Sequence, residues 1–268
     1  MKNSTPIGIC GQVLGAPGQE FLKVCQQTRC DDGNHIGSNP LSYVSSFLTR
    51  IAGVLALGTI LALPVQADEV ALISRLAPSI RSNVIEEAVG AMKCAQSRGV
   101  GVNARRLAII DYTIPSRQQR MWVLDLEAEK LLFEEHVAHG KKSGHDIPKV
   151  FSNRVGSHQT SLGLFLTDAT YHGANGYSLK LHGLSKGFNE AAMRRLIVMH
   201  GAAYVDPRSA ARVGRLGRSW GCPAVRVDVA RPMIDALKEG NFIYSHGPGT
   251  SSLSQCGTES LTLASLAD

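Results

Sequence analysis

A mostly β, α+β domain is the fold class that the sequence predicts. Short apolar segments of strand length recur between turns rich in Gly and Asn, and few segments carry the three-and-four spacing of a helix. The chain has 268 residues, of which 44% are hydrophobic and 19% charged. This composition excludes collagen-like, low-complexity and long coiled-coil chains. We place the strand-rich domain at residues 104–246.

The segment before that domain is predicted to be helical. Between Pro78 and Arg98, apolar residues recur at helical spacing: Ile80, Val84, Ile85, Ala88, Val89 and Met92. Gly99 and Gly101 end the pattern. Residues 68–103 are therefore interpreted as a helical segment.

Within the domain, runs of β-branched and apolar residues predict the strands, and the first two runs after residue 120 predict a hairpin. The predicted strands are 106–113, 121–126, 130–137, 162–167, 177–182, 196–200, 222–227 and 241–245. Short helices are predicted over 189–195 and 229–238, with a loop or broken helix over 207–219. The Ser/Thr-rich residues 247–268 are predicted to form a flexible tail.

Residues 41–67 have the features of a secretory signal peptide. The apolar run 51–63 follows a basic residue and is shorter than the roughly 20 residues that a membrane-spanning helix needs. Val65 and Ala67 provide small residues at the −3 and −1 positions of a cleavage site before Asp68. We expect export to the periplasm or cell envelope, with no stable membrane span after cleavage; an uncleaved anchor is the alternative.

Residues 1–40 do not fit in front of a signal peptide. They show no sustained periodicity, and their potential ligands match no common zinc spacing: Cys25, Cys30 and His35. We interpret them as a non-native or disordered extension, with synthesis beginning near Leu41 or Val44.

The formal net charge is +6, with no block of like charges. This pattern argues against a nucleic-acid partner and is compatible with a polyanionic partner such as a cell wall, or simply with a solvated surface. The predicted mature chain keeps Cys94, Cys222 and Cys256. An odd number of cysteines in an oxidising compartment predicts at least one free thiol.

The strongest chemical motif is the segment 214–225, GRLGRSWGCPAV. Cys222 stands between Gly221 and Pro223 where a loop enters a predicted strand, and consecutive amides at such a junction can form an oxyanion hole. A cysteine nucleophile needs a base within hydrogen-bond reach. His200, at a strand end before Gly201, is the best candidate. Alone, a cysteine and a histidine at this separation favour a structural buried cysteine and a capping histidine over a catalytic pair.

The wider sequence resembles a known family. VMHGAAYV at 198–205, followed by GRSWGCPAV, resembles the signature of the YkuD-type L,D-transpeptidase catalytic domain. SHQTSLG at 157–163 and YSLKLHGL at 177–184 resemble the subgroup of murein L,D-transpeptidase catalytic domains. The resemblance covers residues 105–246. It implies a YkuD-like β-sandwich with short helices, preceded by an N-terminal helix.

The resemblance also implies roles for individual residues. Cys222 corresponds to the acyl-accepting nucleophile and His200 to the general base, oriented by the carbonyl group of Gly201. The amides of Gly221 and Cys222 would form the oxyanion hole. The family commonly has a second histidine two places before the cysteine, where this chain has Trp220, so acceptor binding is the step in doubt.

The implied substrate is the tetrapeptide stem of peptidoglycan, and no cofactor or metal is implied. The cysteine would attack the carbonyl group of the third residue, terminal D-alanine would leave, and an amine of a neighbouring stem would accept the acyl group. Water as the acceptor would make the enzyme an L,D-carboxypeptidase. The candidate substrate-binding residues are Arg218, Ser219, Trp220 and His182.

Three further interpretations stay open at this point. Cys94 and Cys256 can pair as a disulfide that leaves Cys222 free. A zinc hydrolase would use His182, His200 and Cys222, although no paired spacing supports it. A non-catalytic wall-binding module with an idle site is the third.

Overall fold

The computed structural model describes residues 65–254. The predictions for residues 1–40, for the signal peptide before residue 65 and for Cys256 lie outside the described residues. Within residues 65–254, none of the helices combines the length and the apolar character that crossing a membrane requires.

Two helices precede the first strand: α1 (Val65–Leu76) and α2 (Ser82–Ser97). The predicted apolar stripe of α2 is buried, as expected from its spacing: Val84, Ile85, Ala88, Val89 and Met92. Lys93 of α2 forms an ion pair with Glu69 of α1 at 2.5 Å. The helix predicted over 78–98 is confirmed, with a later start because Arg81 has extended backbone angles.

The strands form one hydrogen-bonded sheet in the order β3-β2-β1-β8-β4-β5-β6-β7. Their bounds are β1 Arg106–Asp111, β2 Met121–Asp125, β3 Lys130–Glu135, β4 Gly163–Gly173, β5 Gly176–Gly183, β6 Val198–Gly201, β7 Ala224–Val225 and β8 Phe242–His246. The β1–β8 and β6–β7 pairs are parallel, and the other pairs are antiparallel. Two further helices, α3 (Pro207–Val213) and α4 (Val227–Leu237), flank β7 in the chain. The mostly β, α+β class with short helices is confirmed.

Each face of the sheet carries a hydrophobic core. On one face, residues of α4 such as Met233 and Ile234 pack with β-strand residues and with Cys222. On the other, α2 packs against Leu107, Trp122 and other strand residues. Segment 68–103 therefore shares a core with the sheet, because its apolar stripe is buried against the strands.

The helix predicted over 189–195 is wrong; this segment is a series of turns. Asn189, expected to cap that helix, instead uses its side chain at β4: Oδ1 accepts from the Ser185 amide at 2.8 Å and Nδ2 donates to the Leu164 carbonyl at 2.9 Å. Leu196 closes the segment with a positive φ of 54°, which a helix cannot continue through.

The beginning of the predicted tail is ordered. Thr250–Ser254 forms a 3-10 helix, in contrast to the flexible tail expected from residue 247. Thr250 is fully buried, and its hydroxyl donates to Glu87 of α2 at 2.9 Å. A Ser/Thr-rich composition did not reveal this contact with a distant helix.

Candidate active site

His200 lies inside the sheet, on β6 between β5 and β7. It pairs with Ser178 on one side and with Ala224 on the other. Its Nδ1 lies 3.0 Å from the carbonyl oxygen of Gly201, the contact that the resemblance implies. A hydrogen donated from Nδ1 leaves the lone pair on Nε2. Burial lowers the pKa of His200, so the imidazole is neutral at pH 7 and able to accept a proton.

Cys222 lies near this histidine in the fold. It precedes Ala224, the register partner of His200, by two residues, so the β6–β7 pair brings the loop that carries Cys222 to the strand that carries His200. The strand predicted from residue 222 begins only at Ala224, because Cys222 belongs to the loop that enters it. The cysteine is 8% exposed.

The Cys222 thiol points at the backbone of β6. It donates to the carbonyl oxygen of Leu196 at 3.6 Å, and within residues 65–254 no hydrogen bond joins it to His200. Burial raises the pKa of the thiol, and the Val198 amide and the charge of Arg195 act in the opposite direction. The resting thiol is therefore protonated and needs a base to become a nucleophile.

Ser219 fixes the shape of the loop before Cys222. Its hydroxyl donates to the Cys222 carbonyl at 2.7 Å and accepts from the Gly221 amide at 3.0 Å, while its own amide donates to the His139 carbonyl at 2.9 Å. These bonds engage the hydroxyl and the amide of Ser219 within the protein. The Gly221 amide, predicted to face an oxyanion, is also engaged by this hydroxyl, so the oxyanion hole stays a prediction.

Gly221 is required by geometry. Its φ of 125° lies in a region that favours glycine, and a Cβ here would come within 2.7 Å of the Gln159 carbonyl oxygen. The backbone of the 152–161 segment thus packs directly against the residue before the candidate nucleophile.

Residues 76–246 match the sequence pattern of the L,D-transpeptidase catalytic domain, YkuD_2. The chain belongs to this L,D-transpeptidase family. No functionally curated protein matches the chain.

Solved L,D-transpeptidases are similar to this family member at low identity. An L,D-transpeptidase from Mycobacterium smegmatis has 17% identity and a TM-score of 0.33, over 54% of this chain and 59% of that one. L,D-transpeptidase 1 of Mycobacterium tuberculosis has 14% identity and a TM-score of 0.30, over 53% and 62%. An L,D-transpeptidase (Yku) from Stackebrandtia nassauensis has 14% identity and a TM-score of 0.32, over 68% and 78%. The chain thus spans somewhat more than half the length of the first of these proteins.

Sequence reasoning missed Arg195, which lies behind the loop that leads to Cys222. Its guanidinium donates to four neutral oxygens: the carbonyls of Ser152 and Gln159, both at 2.5 Å, and the hydroxyls of Ser157, at 3.1 Å, and Ser161. Within residues 65–254, none of its hydrogen-bond partners is a carboxylate. The charge of Arg195 is therefore left to act on Cys222. Sequence analysis missed this residue because it assigned Arg195 to a helix over 189–195.

Trp220 is the most conspicuous departure from the family pattern. The side chain is prominent at the surface, 67% exposed, and stacks on the His158 ring with centroids 4.7 Å apart and planes 20° apart. The Lys141 ammonium group lies 4.9 Å from the indole centroid. His158 adopts a φ of 55°, so backbone geometry as well as packing orients this stack.

The other two predicted substrate-binding residues have partners within the protein. Arg218 donates to the carbonyls of Lys141, at 3.2 Å, and Gly144, at 2.7 Å, which ties the loops together. His182 bonds Asp168 at 3.0 Å. It lies four positions along β5 from Ser178, the partner of His200, or about 13 Å at strand spacing. The register therefore separates His182 from His200.

Within residues 65–254, no three His, Cys, Asp or Glu side chains are grouped so that they could hold a metal ion. His182 pairs with Asp168, and His246 bonds Glu87 at 2.8 Å. Cys222 is a free thiol and Cys94 is disulfide-bonded. The partner of Cys94 lies outside the described residues, so the pairing with Cys256 stays a prediction.

Proposed function

We propose that this chain is a cysteine-dependent peptidoglycan L,D-transpeptidase. Its membership of the L,D-transpeptidase catalytic-domain family supports the reaction class. The observation that carries the proposal is the neighbouring position of Cys222 and His200 at the β6–β7 pair, with His200 oriented by Gly201 so that Nε2 is free.

In the first step the Cys222 side chain turns from the Leu196 carbonyl toward His200. Nε2 takes the thiol proton, and the thiolate attacks the carbonyl carbon of the third stem residue. The bond to terminal D-alanine breaks, its nitrogen receives the proton from His200, and a thioester remains. Contacts of this kind are often long in a free enzyme and shorten when substrate binds.

Charge develops on the thiolate and then on the carbonyl oxygen. The Cys222 amide and the field of Arg195 stabilise this negative charge in a buried site. The Gly221 amide joins them when the Ser219 hydroxyl, which now accepts from it, rotates away.

In the second step an amine of a neighbouring stem attacks the thioester. His200 accepts the amine proton, the C–S bond breaks, and a 3–3 cross-link forms while Cys222 is regenerated. Water in place of the amine would give the L,D-carboxypeptidase reaction. The predicted signal peptide supports a site of action in the cell envelope, where stem peptides are found.

The test is intact-mass measurement of the full chain after exposure to a carbapenem, beside Cys222→Ala. Family resemblance implies that such β-lactams acylate the nucleophilic cysteine. We expect an adduct of the drug's mass on the parent protein alone, and release of D-alanine from a tetrapeptide stem by the parent alone. An unmodified parent that releases no D-alanine would contradict the proposal and favour a wall-binding module with an idle site.

A further inference from the structure

A surface cavity adjoins the loop that leads to Cys222 and takes no part in the two proposed reaction steps. Its volume is about 330 Å³. Its walls include two cationic side chains, three neutral polar ones and one apolar one. These are Lys142 and Arg154, then Ser152, Ser157 and Gln159, and finally Val155. None of its lining residues is acidic. A cavity with cations, hydrogen-bonding groups and one apolar side chain suits an amino-acid residue that carries a carboxylate.

The two cationic side chains of the cavity are unpaired as far as residues 65–254 show. Within residues 65–254, neither the Lys142 ammonium group nor the Arg154 guanidinium forms an ion pair or side-chain hydrogen bond. In contrast, Arg117 pairs with Asp146, and Arg218 bonds two carbonyls. Lys142 and Arg154 are therefore free to bind an external anion.

The cavity is built onto the catalytic loop. Gln159, one of its walls, places its carbonyl oxygen 2.7 Å from where a Cβ of Gly221 would lie, and Gly221 precedes Cys222. Arg195 donates to Ser152, Ser157 and Gln159, three of the lining residues. The same guanidinium thus holds the cavity wall and lies behind the nucleophile.

An aromatic surface continues from the cavity toward the cysteine. His158 follows Ser157 in the chain and stacks on Trp220, two residues before Cys222. Lys141, next to Lys142, lies over the indole ring. A peptide whose carboxylate is bound at Lys142 and Arg154 would run along the Trp220–His158 stack to reach the thiol.

We propose that the cavity between Lys142 and Arg154 is a carboxylate-binding subsite for a peptide positioned at Cys222. This inference rests on the proposed function for the identity of the peptide, a peptidoglycan stem. The carboxylate belongs either to the donor stem, whose last residue leaves, or to the acceptor stem. The anion-binding chemistry is the same in both cases.

The first experiment compares two small alkylating reagents on the full chain. Iodoacetate carries a carboxylate where iodoacetamide carries a neutral amide. The ratio of their rate constants at Cys222 therefore measures the electrostatic attraction of an anion to this site. We expect Lys142→Gln and Arg154→Gln each to lower this ratio by about two- to fivefold, the range for single exposed ion pairs. The double variant should lower it further, and added NaCl should weaken the parent's preference.

Lys149→Gln is the matched control, because Lys149 is exposed in the same segment but does not line the cavity. Its ratio should equal that of the parent. A double variant with the parent's ratio, or an equal loss in Lys149→Gln, would overturn the proposal. This comparison needs no turnover, so it can succeed or fail independently of the transpeptidase proposal.

A second readout does not involve the thiol. N-acetyl-D-alanine should change the fluorescence of the exposed Trp220, whereas N-acetyl-D-alanine amide should not; the other tryptophan, Trp122, is buried. The response should be weakened in the double variant and absent in Trp220→Phe. An equal response to acid and amide would count against a carboxylate subsite.

Kinetics with tetrapeptides then distinguish the two sources of carboxylate. If the subsite holds the donor, Lys142→Gln and Arg154→Gln raise KM for D-alanine release from the tetrapeptide acid but not for D-alaninamide release from its carboxamide. If it holds the acceptor, D-alanine release is unchanged and transfer to an added stem amine falls. Unchanged values in both assays would overturn the subsite.

Discussion

Arg195 and Gly221 lie close together behind the candidate nucleophile: a Cβ added to Gly221 would come 3.2 Å from Nη2 of Arg195. Arg195 also bonds the Gln159 carbonyl, which lies closest to the same position. The loop before Cys222 is thereby packed against a cation and a carbonyl, with room only for glycine. Changes at these residues should affect the cysteine without removing it.

Gly221→Ala should impair both stability and acylation. The added methyl group meets backbone at 2.7 Å, and alanine is strained at a φ of 125°. We expect a loss of about 1–3 kcal/mol in the free energy of unfolding and at least tenfold slower carbapenem acylation. Denaturant unfolding and intact mass measure these. Gly176→Ala, in the β4–β5 turn with a φ of 73° and open space around it, should show the strain without the loss of acylation.

Arg195→Gln should shift the pH profile of Cys222 alkylation to higher pH. The charge of Arg195 favours the thiolate, so its removal raises the pKa of the thiol, and iodoacetamide should react about tenfold more slowly at pH 7. Arg195→Lys should recover part of the rate because the charge is retained. Arg194→Gln, an exposed neighbour, is the control. If the pH profile of Arg195→Gln equals that of the parent, Arg195 does not act on the thiol, and its role is only to bind the 152–161 segment.

Whether a residue of this candidate site could be predicted depended on how far from it in the sequence its partners lie. His200, Gly201 and Cys222 could be found because each stands at a strand end within a recognisable motif. Arg195 could not, since its partners come from the 152–161 segment and only folding brings them together. Local composition carried no sign of a cation behind the loop.

The elements of the fold that were predicted are likewise those set by local signals, and those that were missed depend on distant contacts. The 121–126 and 130–137 hairpin was predictable because alternating side chains and a short polar link are local signals, and β2 and β3 confirm it. The turns at 189–195 and the ordered 250–254 segment were missed because Asn189 and Thr250 bond distant elements. Tertiary hydrogen bonds overrode the local preference in both cases.

His200 should act as a neutral base across neutral pH. Burial lowers its pKa, so the acid limb of the acylation rate should lie below the ordinary histidine value of about 6.5. Stability has a matching pH dependence. The unfolded chain binds the His200 proton more tightly than the folded chain does, so the contribution of His200 to stability is lost as the pH falls below about 6.5. His200→Ala should slow acylation about 10²- to 10⁴-fold at pH 7. The rate is measured by quenching the reaction at set times and determining the intact mass. Near-normal acylation in this variant would exclude His200 as the base.

Thr250→Val should destabilise the protein without affecting the active site. The hydroxyl of Thr250 bonds Glu87, and a valine of similar shape leaves that buried carboxylate with one donor fewer. We expect a loss of about 1–3 kcal/mol in the free energy of unfolding and unchanged alkylation of Cys222. Ser252→Ala, at an exposed position in the same 3-10 helix, should change neither. A stability equal to that of the parent would indicate that the contact is not maintained in solution.

Trp220 should contribute to peptide binding rather than to activation of the thiol. Its ring is held by His158 and approached by Lys141, so Trp220→Ala removes the surface along which the peptide would lie. We expect KM for the tetrapeptide to rise about three- to tenfold, with iodoacetamide alkylation of Cys222 unchanged. Trp220→His restores the residue common in the family and keeps a ring at this position, so it should retain more of the binding than alanine does. If Trp220→Ala instead slowed alkylation by the small reagent, the indole would be acting on the cysteine loop itself, and the peptide-binding role would be wrong.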